Sequence, residues 1–351
     1  MKFTLKQQDL LRKTINEYCE KNRIFGVLRI TWRGEIALEA TFGYADLETK
    51  CPFTKYSAFT FYSLSKPFCV LGLLKLYDRG LLALDAHPSR YIPEAEGLDA
   101  RVTIRHMLRH ESGLPDFEQD KIFAAGHRPG TPERIRAHLV DLKEYSQNFA
   151  PGTAMMYANV NMVLCALIIE NISGLSYADY MKKEVFEPLG MKNAVVDHAG
   201  LSHPERVTGY ALDESGALYP IERSMDWMLG AGDILGTADD AFALRNAIKD
   251  GLLLKQKTWQ EVLTPSHLSD FGMGCKVTYW HGKKCITHNG GHLGFRTLHQ
   301  YLPNEDFDWI LLSNSGFGAA RVDLREIIYS AFFGKESDEK SEAIEMDKGY
   351  I

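Results

Sequence analysis

The chain has 351 residues, 45% of them hydrophobic and 25% charged, with a formal net charge of −6. That is ordinary globular composition, long enough for a sizeable core in one large domain or two intimately packed ones. No dense Lys/Arg cluster is present, which argues against a nucleic-acid partner, and no apolar run is long enough to span a bilayer, which argues against a membrane one. The first residues, Met1-Lys2-Phe3-Thr4-Leu5-Lys6, show no apolar signal core and no small-residue cleavage site, so a cytoplasmic location is expected. The six cysteines (Cys19, Cys51, Cys69, Cys165, Cys275 and Cys285) form no CxxC pair and follow no framework spacing. They are expected to be reduced, with Cys69 and Cys165 acting as small core hydrophobes.

In chain order, Leu5 to Lys21 carries apolar positions at Leu5, Leu10, Leu11, Ile15 and Tyr18, the pattern of an amphipathic helix. Gly26 to Trp32 and Glu35 to Tyr44 are rich in Val, Ile, Thr and aromatics and meet at Arg33-Gly34, which predicts a hairpin. Thr54 to Tyr62 leads to Ser63-Leu64-Ser65-Lys66, which opens an apolar helix ending at Asp78-Arg79-Gly80. Helices are predicted from Thr103 to His110, after Thr131-Pro132-Glu133, from Asn159 to Asn171, from Ser176 to Phe186 and from Thr237. Strand patterns return at Met273 to Trp280, Lys284 to His288, Arg296 to Leu302 and Trp309 to Leu312, followed by a closing helix from Arg321 to Phe333. Strands at both ends with helices between them predict an α+β fold whose sheet is built from both termini, with a helical domain inserted. The expected division is a discontinuous α/β sandwich domain over 1–60 and 255–334, a mainly helical domain over 61–254 and a polar tail over 335–351.

Three stretches carry candidate chemistry. Ser63 and Lys66 are three apart at a helix start, so they face the same way, and the helix N-terminus offers N–H donors to a developing anion. A serine beside an amine there is a candidate activated nucleophile; the alternative is a capping serine with an exposed lysine. The second stretch is Phe149 to Asn159, where a Pro151-Gly152 turn delivers Tyr157 and Asn159 just ahead of a buried helix. A tyrosine near a lysine can relay a proton, and an asparagine amide can bond substrate or fix Lys66. The competing reading is a packing tyrosine and a capping asparagine. The third is His288-Asn289-Gly290-Gly291-His292-Leu293-Gly294 after a predicted strand, where glycines permit close approach of a ligand to the backbone. As His-x-Gly also occurs at His198 and His292, the triplet alone is uninformative. His106 and His110, four apart on a predicted helix, have the spacing of zinc ligands, but the Glu of a His-Glu-x-x-His site is missing, so no metal is expected. Trp227 and Trp280 are pocket or core aromatics, and Asp116-Phe117 lies on a loop that could rim a cleft.

Ser-x-x-Lys, then Tyr-x-Asn, then His-x-Gly on a late strand, in that order, resembles the serine β-lactamase and penicillin-binding-protein superfamily. More narrowly, the chain is similar to the class C β-lactamase-like branch, which includes esterases and D-amino-acid-specific peptidases. Thr103 to Asp116, Phe149 to Asn159, Pro188 to Met191 and Gly230 to Thr237 match that branch too, and the resemblance covers roughly residues 20 to 333. It implies an α/β sandwich around an antiparallel sheet beside an α domain, with the site between them. It further implies Ser63 as the acylated nucleophile, Lys66 and Tyr157 as the proton-handling pair, and the N–H groups of Ser63 and Gly291 as the oxyanion hole. Asn159, His288 and Gly290 would contact substrate. No cofactor is implied, and the expected partner is a small ester, amide or β-lactam. His288 stands where many relatives have lysine. A histidine there is mostly neutral, which favours esterase or D-aminopeptidase chemistry over a β-lactamase or D-alanyl-D-alanine carboxypeptidase. A non-turnover penicillin-binding sensor or scaffold is the alternative of another class.

Overall fold

The computed structural model describes residues 3–116, 146–198, 200–221, 225, 228–292, 294–315 and 321–334. The helix start expected at Thr131, together with Phe117, Trp227 and the tail 335–351, lies outside the described residues.

Thr4 caps helix α1 (Leu5–Lys21) through a capping box with Gln7. Strands β1 (Gly26–Trp32) and β2 (Glu35–Phe42) form the expected hairpin. Its two turn residues, Arg33 and Gly34, both have positive φ (54° and 80°), the twist that a two-residue hairpin needs. The next elements are β3 (Phe59–Thr60), α2 (Ser65–Asp78), α3 (Ile104–Leu108), α4 (Val160–Ser173), α5 (Tyr177–Met181), β4 (Val195–Val196), β5 (Gly209–Leu212), β6 (Leu218–Ile221) and β7 (Ile234–Gly236). They are followed by α6 (Ala238–Asp250), α7 (Gln256–Val262), β8 (Lys276–Trp280), β9 (Lys283–Thr287), β10 (Gly290–His292), β11 (Phe295–Leu302), β12 (Phe307–Ser313) and α8 (Arg321–Phe333).

The main sheet is antiparallel and runs β2-β1-β12-β11-β9-β8, with β10 added against β11. Both ends of the chain therefore build it, as the strand pattern predicts. Alternation along each strand sends neighbours to opposite faces. Leu28, Ile30, Trp309 and Leu311 bury against Leu11, Ile15, Leu324 and Ile328 of α1 and α8. Val27, Ile310 and Leu312 turn the other way and join the larger core around α2 and α4. These two helices are apolar nearly all round, so they form the interior of that second layer. Gly72 lets α2 approach α5 closely, since a Cβ there would lie 3.0 Å from Met181 Sδ. The result is an α+β fold.

Several boundaries differ from expectation. The helix after Ser63 begins at Ser65, because Tyr62–Leu64 forms a 3-10 turn first. The helix from Thr103 stops at Leu108, and His110 has φ +57°. The segment from Ser176 to Phe186 divides into α5 and a π-helical stretch, Lys182–Phe186. Two small sheets, β3-β7-β4 and β5-β6, and helix α7 were not anticipated. All six cysteines are free, and all but Cys51 are buried.

Candidate active site

The Ser63 turn is pinned to the small sheet. Phe59 and Thr60 pair with Gly236 and Leu235, the Phe61 N–H donates to Ile234 O at 2.8 Å, and the Ile234 N–H donates to Ser65 Oγ at 3.0 Å. Tyr62, immediately before Ser63, is held at φ +47°, a conformation that is costly for a bulky side chain, on the order of 1–3 kcal/mol. Its ring lies edge-on to His292, 6.0 Å between centroids. One turn on, Lys66 is fully buried. Its Nζ lies 2.9 Å from Ser63 Oγ, donates to Ala231 O at 2.6 Å and sits 4.8 Å from the centroid of the Tyr157 ring. Burial pushes the Lys66 amine down to about 7, against the opposing pull of Asp116 and Asp233. The Ser63/Lys66 spacing thus produces the side-by-side hydroxyl and amine that the sequence suggests, and the exposed-lysine alternative is excluded.

Tyr157 arrives on the irregular segment ahead of α4. Its ring stacks on His110, with centroids 4.4 Å apart and 25° between planes, and meets Phe271 and His288 at 6.2 Å each. Asn159 occupies the cap position of α4 but makes no side-chain capping bond. The cap comes from Asp116, whose Oδ1 accepts the Val160 N–H at 3.0 Å while Oδ2 accepts Asn159 Nδ2 at 2.9 Å. A carboxylate only accepts, so this bond fixes which end of the Asn159 amide is nitrogen. Asn159 Oδ1 is then buried without a protein partner among the described residues.

His288 follows β9 and is buried. Its Nδ1 lies 2.7 Å from the Asn289 carbonyl oxygen, so Nδ1 carries the proton and Nε2 presents a lone pair. Burial, reinforced by Lys66, pushes the ring down to about 3, so it is neutral across the physiological range. Nε2 has no protein partner among the described residues. Gly290, opposite Thr297 in the β10–β11 pair, lies flat against the Ser63 turn. A Cβ on Gly290 would overlap Phe61 O and Thr297 Oγ1, and Thr297 Oγ1 itself donates to Phe61 O at 3.0 Å. Gly291 is the next residue of the same short strand, paired with Arg296.

Three distant stretches therefore converge on one cluster. A hydroxyl beside an amine lowered to about 7, an adjacent phenol ring and a glycine strand against the Ser63 turn together suit acyl transfer. Sequence reasoning missed the part played by His110 and undervalued Asp116. His106 and His110 do not share a helix face: His106 Nδ1 accepts the Thr103 N–H at 3.3 Å at the start of α3, while His110 turns to Tyr157. Among the described residues no group of three or more His, Cys, Asp or Glu could hold a metal ion. Trp280 lies on the far face of the sheet, 4.8 Å from the Tyr329 ring, and lines no part of this site. Cys69 is buried with its thiol pushed up to about 12, which leaves it unreactive.

Compared with protein families, residues 11–331 match the beta-lactamase family. The chain belongs to that family. Among its curated relatives, this beta-lactamase-family chain is 31% identical over 301 residues to Penicillin-binding protein 4* of Bacillus subtilis, covering 80% of this chain and 65% of that protein. It is 25% identical over 317 residues to a D-aminopeptidase of Gluconobacter oxydans, covering 87% of this chain and 58% of that one. The chain thus spans less than two thirds of the length of either relative. Among solved structures, D-amino acid amidase from Ochrobactrum anthropi SV3 superposes with a TM-score of 0.77 at 25% identity, over 92% of this chain and 98% of that one. A penicillin-binding protein from Bacillus halodurans superposes with a TM-score of 0.79 at 23% identity, over 90% of this chain and 98% of that one, which supports the same fold.

Proposed function

We propose that this chain is a serine hydrolase that forms an acyl-enzyme on Ser63 and acts on small amides or esters of the D-aminopeptidase or amidase kind. The observation that carries the reading is the buried Lys66 amine, 2.9 Å from Ser63 Oγ and pushed down by burial to about 7, so that a free-amine fraction is present near neutral pH. As a free amine it donates one N–H to Ala231 O and keeps its lone pair for the serine proton. Ser63 Oγ bonds to the substrate carbonyl carbon while its proton passes to Lys66 Nζ. The N–H groups of Ser63 and Gly291 take the oxyanion. The bond to the leaving group then breaks, and the departing nitrogen or oxygen receives the proton through the Lys66–Tyr157 pair. Water adds to the acyl carbon, its proton returns by the same pair to Ser63 Oγ, and the acid departs.

The neutral His288 supports this substrate class. Where a lysine would offer a fixed charge to a carboxylate, the neutral His288 offers none, which suits a substrate that carries no carboxylate at that point. The names of the D-aminopeptidase and D-amino acid amidase relatives agree with that chemistry. The intact Ser63, Lys66, Tyr157 and Asn159 support turnover over a scaffold role. The test is labelling by a fluorophosphonate and a fluorescent penicillin, wild type against Ser63→Ala, beside turnover of D-aminoacyl anilides, p-nitrophenyl esters and a chromogenic cephalosporin. Amide or ester turnover exceeding cephalosporin turnover, all lost in Ser63→Ala, is expected. Dominant cephalosporin turnover, or unchanged labelling of the variant, overturns the reading.

A further inference from the structure

We infer that His110 is the positioning residue of Tyr157: it grips the backbone on both sides of that tyrosine and stacks on its ring, so that the phenol keeps its place beside Lys66. The Met156 N–H donates to the His110 carbonyl oxygen at 2.9 Å, and the Ala158 N–H donates to His110 Nδ1 at 3.1 Å. Between those two bonds the Tyr157 ring lies over the imidazole, 4.4 Å away. One residue offers its carbonyl, its ring nitrogen and its ring face to the same three residues while held at φ +57°, in the left-handed region.

The clamp needs a neutral imidazole. Nδ1 accepts from Ala158 N and lies 3.3 Å from Asn161 Nδ2, whose Oδ1 accepts from Ser112 Oγ at 2.7 Å. A proton on Nδ1 would break both contacts. Burial, with Lys66 and His288 nearby, holds the ring well below the usual histidine range, so the accepting form persists. Phe271 closes the cluster edge-on to the His110 ring at 5.2 Å. Nothing in this arrangement brings His110 to the Ser63 hydroxyl or the Lys66 amine by a hydrogen bond, so its effect runs through Tyr157.

The inference rests on Tyr157 carrying a proton, and a double-mutant cycle separates the two claims. His110→Asn keeps an acceptor and tolerates the left-handed backbone but loses the ring; His110→Phe keeps a ring but loses the acceptor. Each is made in the wild-type and the Tyr157→Phe backgrounds. The readouts are the rate of fluorophosphonate labelling of Ser63, kcat and KM on a D-aminoacyl anilide, and Tm. A small displacement of a reacting group costs roughly 10- to 100-fold in rate. Either His110 variant is therefore expected to slow labelling and kcat by about that range with KM nearly unchanged. In the Tyr157→Phe background the same change should add less than about twofold. Wild-type labelling rates in whichever His110 variant folds, or an equal fold loss in both backgrounds, overturn the positioning role while leaving Tyr157 in place. A Tyr157→Phe enzyme that labels at the wild-type rate removes the proton-carrier reading itself, and this inference with it.

Discussion

Asp116 binds Asn159 and the start of α4 with one carboxylate, accepting Asn159 Nδ2 at 2.9 Å and the Val160 N–H at 3.0 Å. Its charge also opposes the fall in the Lys66 pKa. Asp116→Asn removes that support for the ammonium form, so the Lys66 amine should lose its proton at lower pH. The pH–kcat/KM profile of the variant is expected to begin its rise at lower pH than wild type, with a stability loss of about 0.5–2 kcal/mol from the weakened cap. A limb that stays in place or moves upward contradicts the assignment.

The wild-type profile should itself rise with pH through about 7, as Lys66 becomes the free amine. His288, pushed down to about 3, and His110, lower than an ordinary histidine, stay neutral across that range and add no step. Stopped-flow labelling of Ser63 between pH 5 and 9 tests this. A rate independent of pH across 6–8 sinks Lys66 as the group that sets it.

Lys66 also sets a stability cost. Its amine titrates near 10.5 when solvated and about 7 when folded, so between those values the unfolded chain binds the extra proton, and wild-type stability rises with pH across that window. Lys66→Met should abolish acylation and yet raise stability at pH 7, on the order of 1 kcal/mol or more. The gain is largest at or below pH 7 and shrinks toward pH 10. Urea melts of both proteins at pH 7 and 9.5 read the difference. A variant less stable than wild type at pH 7 counts against a costly buried amine.

Gly290→Ala addresses the contact between β10 and the Ser63 turn. The added methyl meets Phe61 O and Thr297 Oγ1, and Leu64 N at 3.0 Å, so backbone as well as side chain must shift. Because Gly291 follows directly, the displacement should cost about as much as an oxyanion donor, roughly 10²–10³ in kcat. Unimpaired kcat in a folded variant would show that the close approach is unnecessary.

Much of this arrangement is legible in the letters, for identifiable reasons. The β1–β2 hairpin follows from two runs rich in Val, Ile, Thr and aromatics that meet at Arg33-Gly34, and α4 from a run so apolar that only a core could hold it. Ser63 and Lys66 are local, three residues apart, so helical spacing alone predicts their contact. Elements two or three residues long, such as β3 and β4, escape notice because partners far along the chain define them. His110 is not legible as a site residue because the helical pattern runs on through Arg109, whereas the backbone turns left-handed at His110 itself. The only local hint is Glu111-Ser112-Gly113, a stop signal that says nothing about Tyr157. Asp116 reads from the letters only as part of a loop, since no spacing rule links it to Asn159 across 43 positions.

Strand β1 has a neighbour on each side, and one of them is β12, with Gly26 paired to Ser313. A ribosome therefore releases the first strand long before its second partner exists. Until residues beyond 300 emerge, the hairpin near the N-terminus has half its edge bare, and a chain with such distant pairings gathers itself slowly. The Ser63 turn is synthesised early and its glycine counterpart late, so a nascent or truncated polypeptide carries that hydroxyl without the other wall. Such a fragment would be chemically silent until synthesis is nearly done.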